Sequence, residues 1–156
     1  MTLPTSIRYI DIYPVRWVAG RMETLLLRRS PAVRCTGAWE SVHGHIEAGE
    51  TAVAAASREL REETGLVPVR LYNLSRAEFF YLHNTDEVAL IPAFAGIVDP
   101  GAPVVLSSEH DDSRWADIAE ALGALAWPRE RRAVADLAVL LAGGTAGALE
   151  DVLRIH

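Results

Sequence analysis

The chain has 156 residues, 50% hydrophobic and 23% charged, with a formal net charge of −6; it can bury about 70% of its unfolded surface in one core and is too apolar to be disordered. All 15 basic residues are arginine, which excludes chemistry that needs a lysine amine, and the acidic balance disfavours a nucleic-acid polymer as partner. The single cysteine, Cys35, excludes an internal disulfide and predicts a reducing, cytoplasmic setting. The N-terminus lacks a basic start followed by an apolar core, and no run approaches the roughly 18 apolar residues of a membrane helix, so neither secretion nor membrane insertion is expected.

In chain order, "IRYIDIYPVRWV" has the β-branched and aromatic content of a strand, "AGRM" reads as a turn and "ETLLLRR" as the partner strand. "AWESV" is a short third strand. From Thr51 to Thr64 the pattern turns helical, with Thr51 placed to cap the start and Gly65 to stop the end, and with Val53, Ala56 and Leu60 forming a narrow apolar stripe. "VPVRLYNL", "RAEFFYLH" and "EVALIPAFAGIV" follow as strands, separated by a hairpin loop at "NTDE" and ended by a turn at "DPGAP". "WADIAEALGAL" and "PRERRAVADLAVLLAG" read as helices, the second with Pro128 in its first turn. There is no internal repeat or linker, so residues 1–156 are expected to form one domain, an α/β or α+β sandwich.

The helix over Thr51 to Thr64 carries Glu59, Glu62 and Glu63 at i, i+3 and i+4, where three like charges share a face and repel. A solvated helix rich in glutamate is the ordinary meaning of such a run. The wider stretch "GHIEAGETAVAAASRELREETGL" changes that reading. It fits G-x5-E-x7-R-E-U-x-E-E-x-G-U (U apolar) through Gly44, Glu50, Arg58, Glu59, Leu60, Glu62, Glu63, Gly65 and Leu66. At ordinary residue frequencies the seven identical positions would coincide on the order of once in a hundred million starting points. Clustered carboxylates are hard oxygen ligands that suit Mg2+ or Mn2+, and a cation there converts repulsion into coordination and bridges phosphate oxygens.

This stretch resembles the box that defines the Nudix hydrolases, which cleave nucleoside diphosphates linked to another moiety. The resemblance implies an α/β/α sandwich with a mixed sheet, a Mg2+ (or Mn2+) cofactor, and Glu59, Glu62 and Glu63 as metal ligands, with the Gly44 carbonyl as a further one. It implies that Glu50 and Arg58 form a structural ion pair. Nudix members often supply one more carboxylate from a downstream loop, as ligand or general base; in "SSEHDDSRW" Glu109 is the candidate, while Asp111 and Asp112 read as caps of the following helix or as solvent-facing acids.

For substrate binding the candidates are Arg28 and Arg29 for phosphate, His43 beside Gly44, and Trp39 and Trp115 for stacking on a planar ring, each weighed against an ordinary packing or surface role. Trp127 before Pro128 reads as packing. "AWESVHGHIEAGET", "LSSEHDDSRW" and "WPRERRAV" are similar to stretches of bacterial dihydroneopterin triphosphate diphosphatases, often labelled dATP pyrophosphohydrolases. That likeness implies cleavage of a (deoxy)nucleoside triphosphate or dihydroneopterin triphosphate to monophosphate and pyrophosphate. Hydrolysis of ADP-ribose or a dinucleoside polyphosphate, or a non-catalytic ligand-sensing module, are the alternatives. The expected partner is a small phosphate anhydride, with neither a nucleic-acid polymer nor a membrane, in a monomer or homodimer.

Overall fold

A computed structural model describes residues 2–156. Its strands are β1 (Thr5–Ile7), β2 (Tyr9–Val18), β3 (Arg21–Arg29), β4 (Trp39–Glu40), β5 (Val42–His45), β6 (Arg70–Leu82), β7 (Glu87–Ile97) and β8 (His110–Asp117). The helices are α1 (Ala52–Thr64), α2 (Ile118–Ala124), α3 (Pro128–Leu140) and α4 (Glu150–Leu153). The strands form a mixed sheet: β7 runs parallel to β1 and β2, whereas β2 pairs antiparallel with β3 and β5, β3 with β4 and β8, and β6 with β7.

Alternation along the central strands loads both faces of this sheet. Ile10 and Ile12 of β2 and Leu25 and Leu27 of β3 pack with Ala55, Ala56 and Leu60 of α1. Tyr13, Val15 and Leu26 point the other way and pack with Ala121 of α2 and Ala133, Val134 and Leu137 of α3. The result is the α/β/α sandwich with a mixed sheet.

Helix α1 begins and ends where its sequence dictates. The Thr51 hydroxyl accepts from the Ala54 N–H, and Gly65 adopts φ 71°, a left-handed conformation open to glycine at little cost. Three expectations are corrected. "AWESV" is two strands, β4 and β5, divided at Ser41, and β5 continues through the box glycine to His45. "VPVRLYNL" and "RAEFFYLH" join into β6, whose pairing with β7 shifts register between Asn73 and Ala77, with Ser75 at φ 53°. The helix read from Trp115 starts only at Ile118, because β8 pairs with β3 as far as Glu23↔Asp117. Asp117 then caps α2 in a reciprocal box with Glu120, so Asp111 and Asp112 lie in a strand and cap no helix.

Candidate active site

The box folds into β5, the loop after it and α1, and one guanidinium ties these parts together. Arg58 donates to Glu50 through Nε at 2.9 Å and Nη2 at 3.0 Å, to the His45 carbonyl at 2.8 Å, and through Nη1 to Glu59 at 2.9 Å and Glu62 at 3.1 Å. The expected Glu50–Arg58 pair therefore forms. Its hydrogen bonds, first to Glu50 and then to Glu59, raise the Arg58 pKa further and lock the charge in place.

Gly44 lies opposite Ile10 on β2 and faces α1. A β-carbon there would fall inside the Glu59 side chain, so only glycine lets the carboxylate approach this strand. Glu59 and Glu63 stand one turn apart, with Glu109 near both. Burial raises the pKa of Glu59 against the hydrogen bond from Arg58, and Glu62 and Glu109 raise it further. At Glu63 burial comes first, then the charges of Glu59, Glu109 and Glu40, and together they push its pKa up to about 9. Glu63 Oε2 is buried without a hydrogen-bond partner among the described residues. Glu62 stands apart from this group, 56% exposed and held by Arg58.

A divalent cation fits these residues. The donor set is all oxygen, a buried carboxylate oxygen lacks a partner, and a bare glycine backbone faces the carboxylates. Among the described residues no group of three or more His, Cys, Asp or Glu side chains is already gathered at ligand spacing.

Behind Glu63 runs a buried chain that the sequence reading missed. His110 lies between Glu40, with Nε2 at 3.1 Å from Oε1, and Glu63, with Nδ1 at 3.8 Å from Oε2. Burial alone would raise the pKa of Glu40, yet hydrogen bonds from His110 and Arg29, and the Arg29 charge, hold it below the usual carboxylate value. Arg29 donates to Glu40 at 2.7 Å. The signal in the sequence was the histidine directly after Glu109.

Glu40 and Arg29 also border a cavity of about 240 Å3. Tyr9, Phe80, Trp127, Leu82 and Ile91 supply its apolar walls, and Arg34, His43 and Arg129 supply polar groups. An adjoining cavity of about 440 Å3 shares Tyr9, Arg34, Phe80, Leu82 and Trp127 and adds Arg8, Tyr81 and His83. Phe80 meets Trp127 edge to face at 6.0 Å.

This placement corrects part of the substrate-site expectation. Arg29 and His43 do line the cavity, whereas Trp39 packs against the α2–α3 core and Trp115 against the α1 core. Both are capped by arginines, Trp39 by Arg114 at 4.9 Å and Trp115 by Arg16 at 4.3 Å. Arg28 pairs with Asp111 at 2.8 Å and its charge lies near Asp112, so it is engaged on the β3–β8 surface. Trp127, read as packing, is the tryptophan in the cavity wall.

The floor of the cavity holds a second buried network. Asp11 on β2 accepts from Arg129 of α3 through Nε at 2.8 Å and Nη2 at 3.2 Å, and His43 Nδ1 lies 2.7 Å from its Oδ1. Burial would raise the Asp11 pKa, but these bonds and the Arg129 charge overcome it and keep the carboxylate ionised. Beside it Glu130 is fully buried, accepts from the Ser41 N–H, and has its pKa raised well above the ordinary value by burial and by Asp11.

Comparison with known proteins agrees with this architecture. A NUDIX domain model matches residues 13–137. An octanoyltransferase of Myxococcus xanthus is 37% identical over 133 residues, 84% of this chain but only 36% of that protein, so the chain spans little more than a third of that relative. The asymmetrical bis(5'-nucleosyl)-tetraphosphatase of Mus musculus is 32% identical over 102 residues, 64% of this chain and 67% of that one. A C. elegans Ap4A hydrolase binary complex superposes with a TM-score of 0.72 at 22% identity, covering 90% of this chain and 99% of its own. The E. coli dihydroneopterin triphosphate pyrophosphohydrolase gives 0.69 at 21% identity over 88% of this chain and 99% of its own. At such identities the last two are likenesses of fold. The family's domain runs over most of the length, and the residues that define its box sit on the loop and helix just described, so the chain belongs to the Nudix hydrolases, enzymes that act on phosphorus anhydrides.

Proposed function

We propose that this Nudix hydrolase cleaves a (deoxy)nucleoside triphosphate or dihydroneopterin triphosphate between the α and β phosphorus atoms, releasing a monophosphate and pyrophosphate. One observation carries the reading: the carboxylates of Glu59, Glu63 and Glu109 adjoin, through Glu40 and Arg29, an aromatic cavity sized for one planar ring. Nudix hydrolases generally use divalent metals. Here Glu59, Glu62, Glu63 and Glu109 with the Gly44 carbonyl would hold Mg2+ or Mn2+, which supplies the positive charge that a polyphosphate and an attacking water require.

The chain's own residues do the rest. Arg58 ties Glu59 and Glu62 of α1 to Glu50 in the loop and to the His45 carbonyl of β5. Arg29, between the carboxylates and the cavity, meets the phosphate chain, and Tyr9, Phe80 and Trp127 exclude water from the ring. Glu109 is exposed at the mouth of the carboxylate group and holds or moves the proton of the attacking water.

One observation favours a second reading, a dinucleoside polyphosphate. The larger cavity shares walls with the first and adds Arg8, which pairs with Glu87, to the Arg34 that lines both, and the relatives include tetraphosphatases of that class. A panel of nucleoside triphosphates, dihydroneopterin triphosphate, ADP-ribose and diadenosine tetraphosphate, run with Mg2+ and with excess chelator, decides between them. The proposal expects triphosphates to have the highest kcat/KM and chelator to abolish turnover. A clear preference for the dinucleotide or ADP-ribose contradicts it.

A further inference from the structure

The cavity floor presents two polar groups that no part of the hydrolysis uses. Arg129 is buried, with 8% of its side chain exposed, yet it lines the cavity. Asp11 occupies its Nε and Nη2, and Nη1 has no partner among the described residues. The guanidinium is further fixed over the Trp127 ring, 5.0 Å from the centroid. It is therefore a donor held rigid by a buried carboxylate and left open toward the cavity.

His43 is oriented by the same carboxylate. Its Nδ1 lies 2.7 Å from the ionised Asp11 and 3.4 Å from Arg129 Nη2. The carboxylate accepts at the shorter distance, so Nδ1 donates to it, and Nε2 is the ring nitrogen left for the cavity. Tyr9 stacks on this imidazole at 5.4 Å and an angle of 20°, which holds the ring in place. The floor thus offers one charged donor, Arg129 Nη1, beside the imidazole Nε2 of His43, at the base of aromatic walls.

We propose that Arg129 and His43 read a lactam edge on the substrate ring, Arg129 Nη1 donating to the ring carbonyl and His43 Nε2 accepting from the adjacent ring N–H. The inference rests on the triphosphatase reading above and names the ring class it selects. A lactam oxygen is a stronger acceptor for a guanidinium than a ring nitrogen, so the charge-assisted bond favours 6-oxopurines and pterins over adenine. Asp11 is a positioning residue: it holds both readers and touches no substrate.

The test uses the whole wild-type protein with Mg2+ and measures kcat and KM separately for GTP, ITP, ATP, purine riboside triphosphate and dihydroneopterin triphosphate. ITP keeps the lactam and lacks the 2-amino group, so it isolates the edge. GTP and ITP are expected to share a KM about tenfold or more below that of ATP and of purine riboside triphosphate, with kcat much less affected. In His43→Phe and in Arg129→Lys the ratio of the ATP KM to the ITP KM falls toward one. The two lactam sources are separated by whether dihydroneopterin triphosphate or GTP has the higher kcat/KM. Equal KM for ITP and ATP in the wild-type protein overturns the inference while leaving the triphosphatase reading intact. Hydrolysis of none of the five overturns both.

Discussion

The bare α-carbon of Gly44 on β5 lies directly against the carboxylate of Glu59 on α1, in space that a methyl group would fill. What would have to move is the far end of a flexible side chain, and Gly44 lies in a strand with no positive φ, so the fold can absorb an alanine. The carboxylate cannot stay where it is. Gly44→Ala is therefore expected to leave the denaturation midpoint nearly unchanged and to reduce turnover by about 10- to 100-fold, the usual range for disturbing a metal site's supports. Unchanged kinetics in a folded Gly44→Ala protein would count against Glu59 acting from this position.

Among the described residues Arg58 alone binds Glu50, Glu59 and Glu62 together, and it uses Nε and both terminal nitrogens to do so. A lysine keeps the charge but has a single nitrogen. Arg58→Lys should weaken Mg2+ binding, read by calorimetry with the folded protein, by about 10-fold or more. An unaltered Mg2+ affinity would show that the fork plays no part in aligning the carboxylates.

Glu63 makes the metal-free protein sensitive to pH in a definite direction. Its ordinary value is 4.5 and in the fold it is about 9. Between these values the unfolded chain loses a proton that the folded one keeps, so the stability this group contributes is complete below the lower value and is lost as pH rises toward the upper one. In chelator, wild-type stability should fall relative to Glu63→Gln across that window. Metal binding must displace the same proton, so the thermal shift produced by Mg2+ should grow from pH 6 to pH 8.5. A Mg2+ shift that is flat with pH would contradict the assignment.

How much of this was legible beforehand depended on sequence separation. Helix α1 and its supports are local: Thr51, Glu50, Arg58 and Gly65 act within fifteen or so positions, and each stands where its residue type dictates. The cavity floor is not local, since Asp11 and Arg129 are 118 positions apart and meet only because β2 and α3 share one face of the sheet. The tryptophans failed for a related reason. Trp39 and Trp115 are close to the box and the acidic loop in sequence, but strand alternation turns both into packed surfaces, while Trp127 reaches the cavity from the start of α3. The late start of α2 reflects sheet pairing overriding helical propensity at Trp115 and Ala116.

These positions separate in a mutational test. Trp127→Ala should raise KM for a triphosphate by about 5- to 100-fold, the range of a lost aromatic stack on a base, with a smaller change in kcat. Trp39→Ala should instead lower thermal stability and leave KM near the wild-type value. The reverse pattern would move the ring site to the other end of β4.

In the proposed reaction the carboxylates around Glu63 direct water at the α phosphorus of a triphosphate. Hydrolysis in ¹⁸O-labelled water with Mg2+, followed by mass spectrometry of both products, tests it most directly. The label is expected in the nucleoside or pterin monophosphate and not in the pyrophosphate; label in pyrophosphate or in released orthophosphate would rule out attack at the α phosphorus.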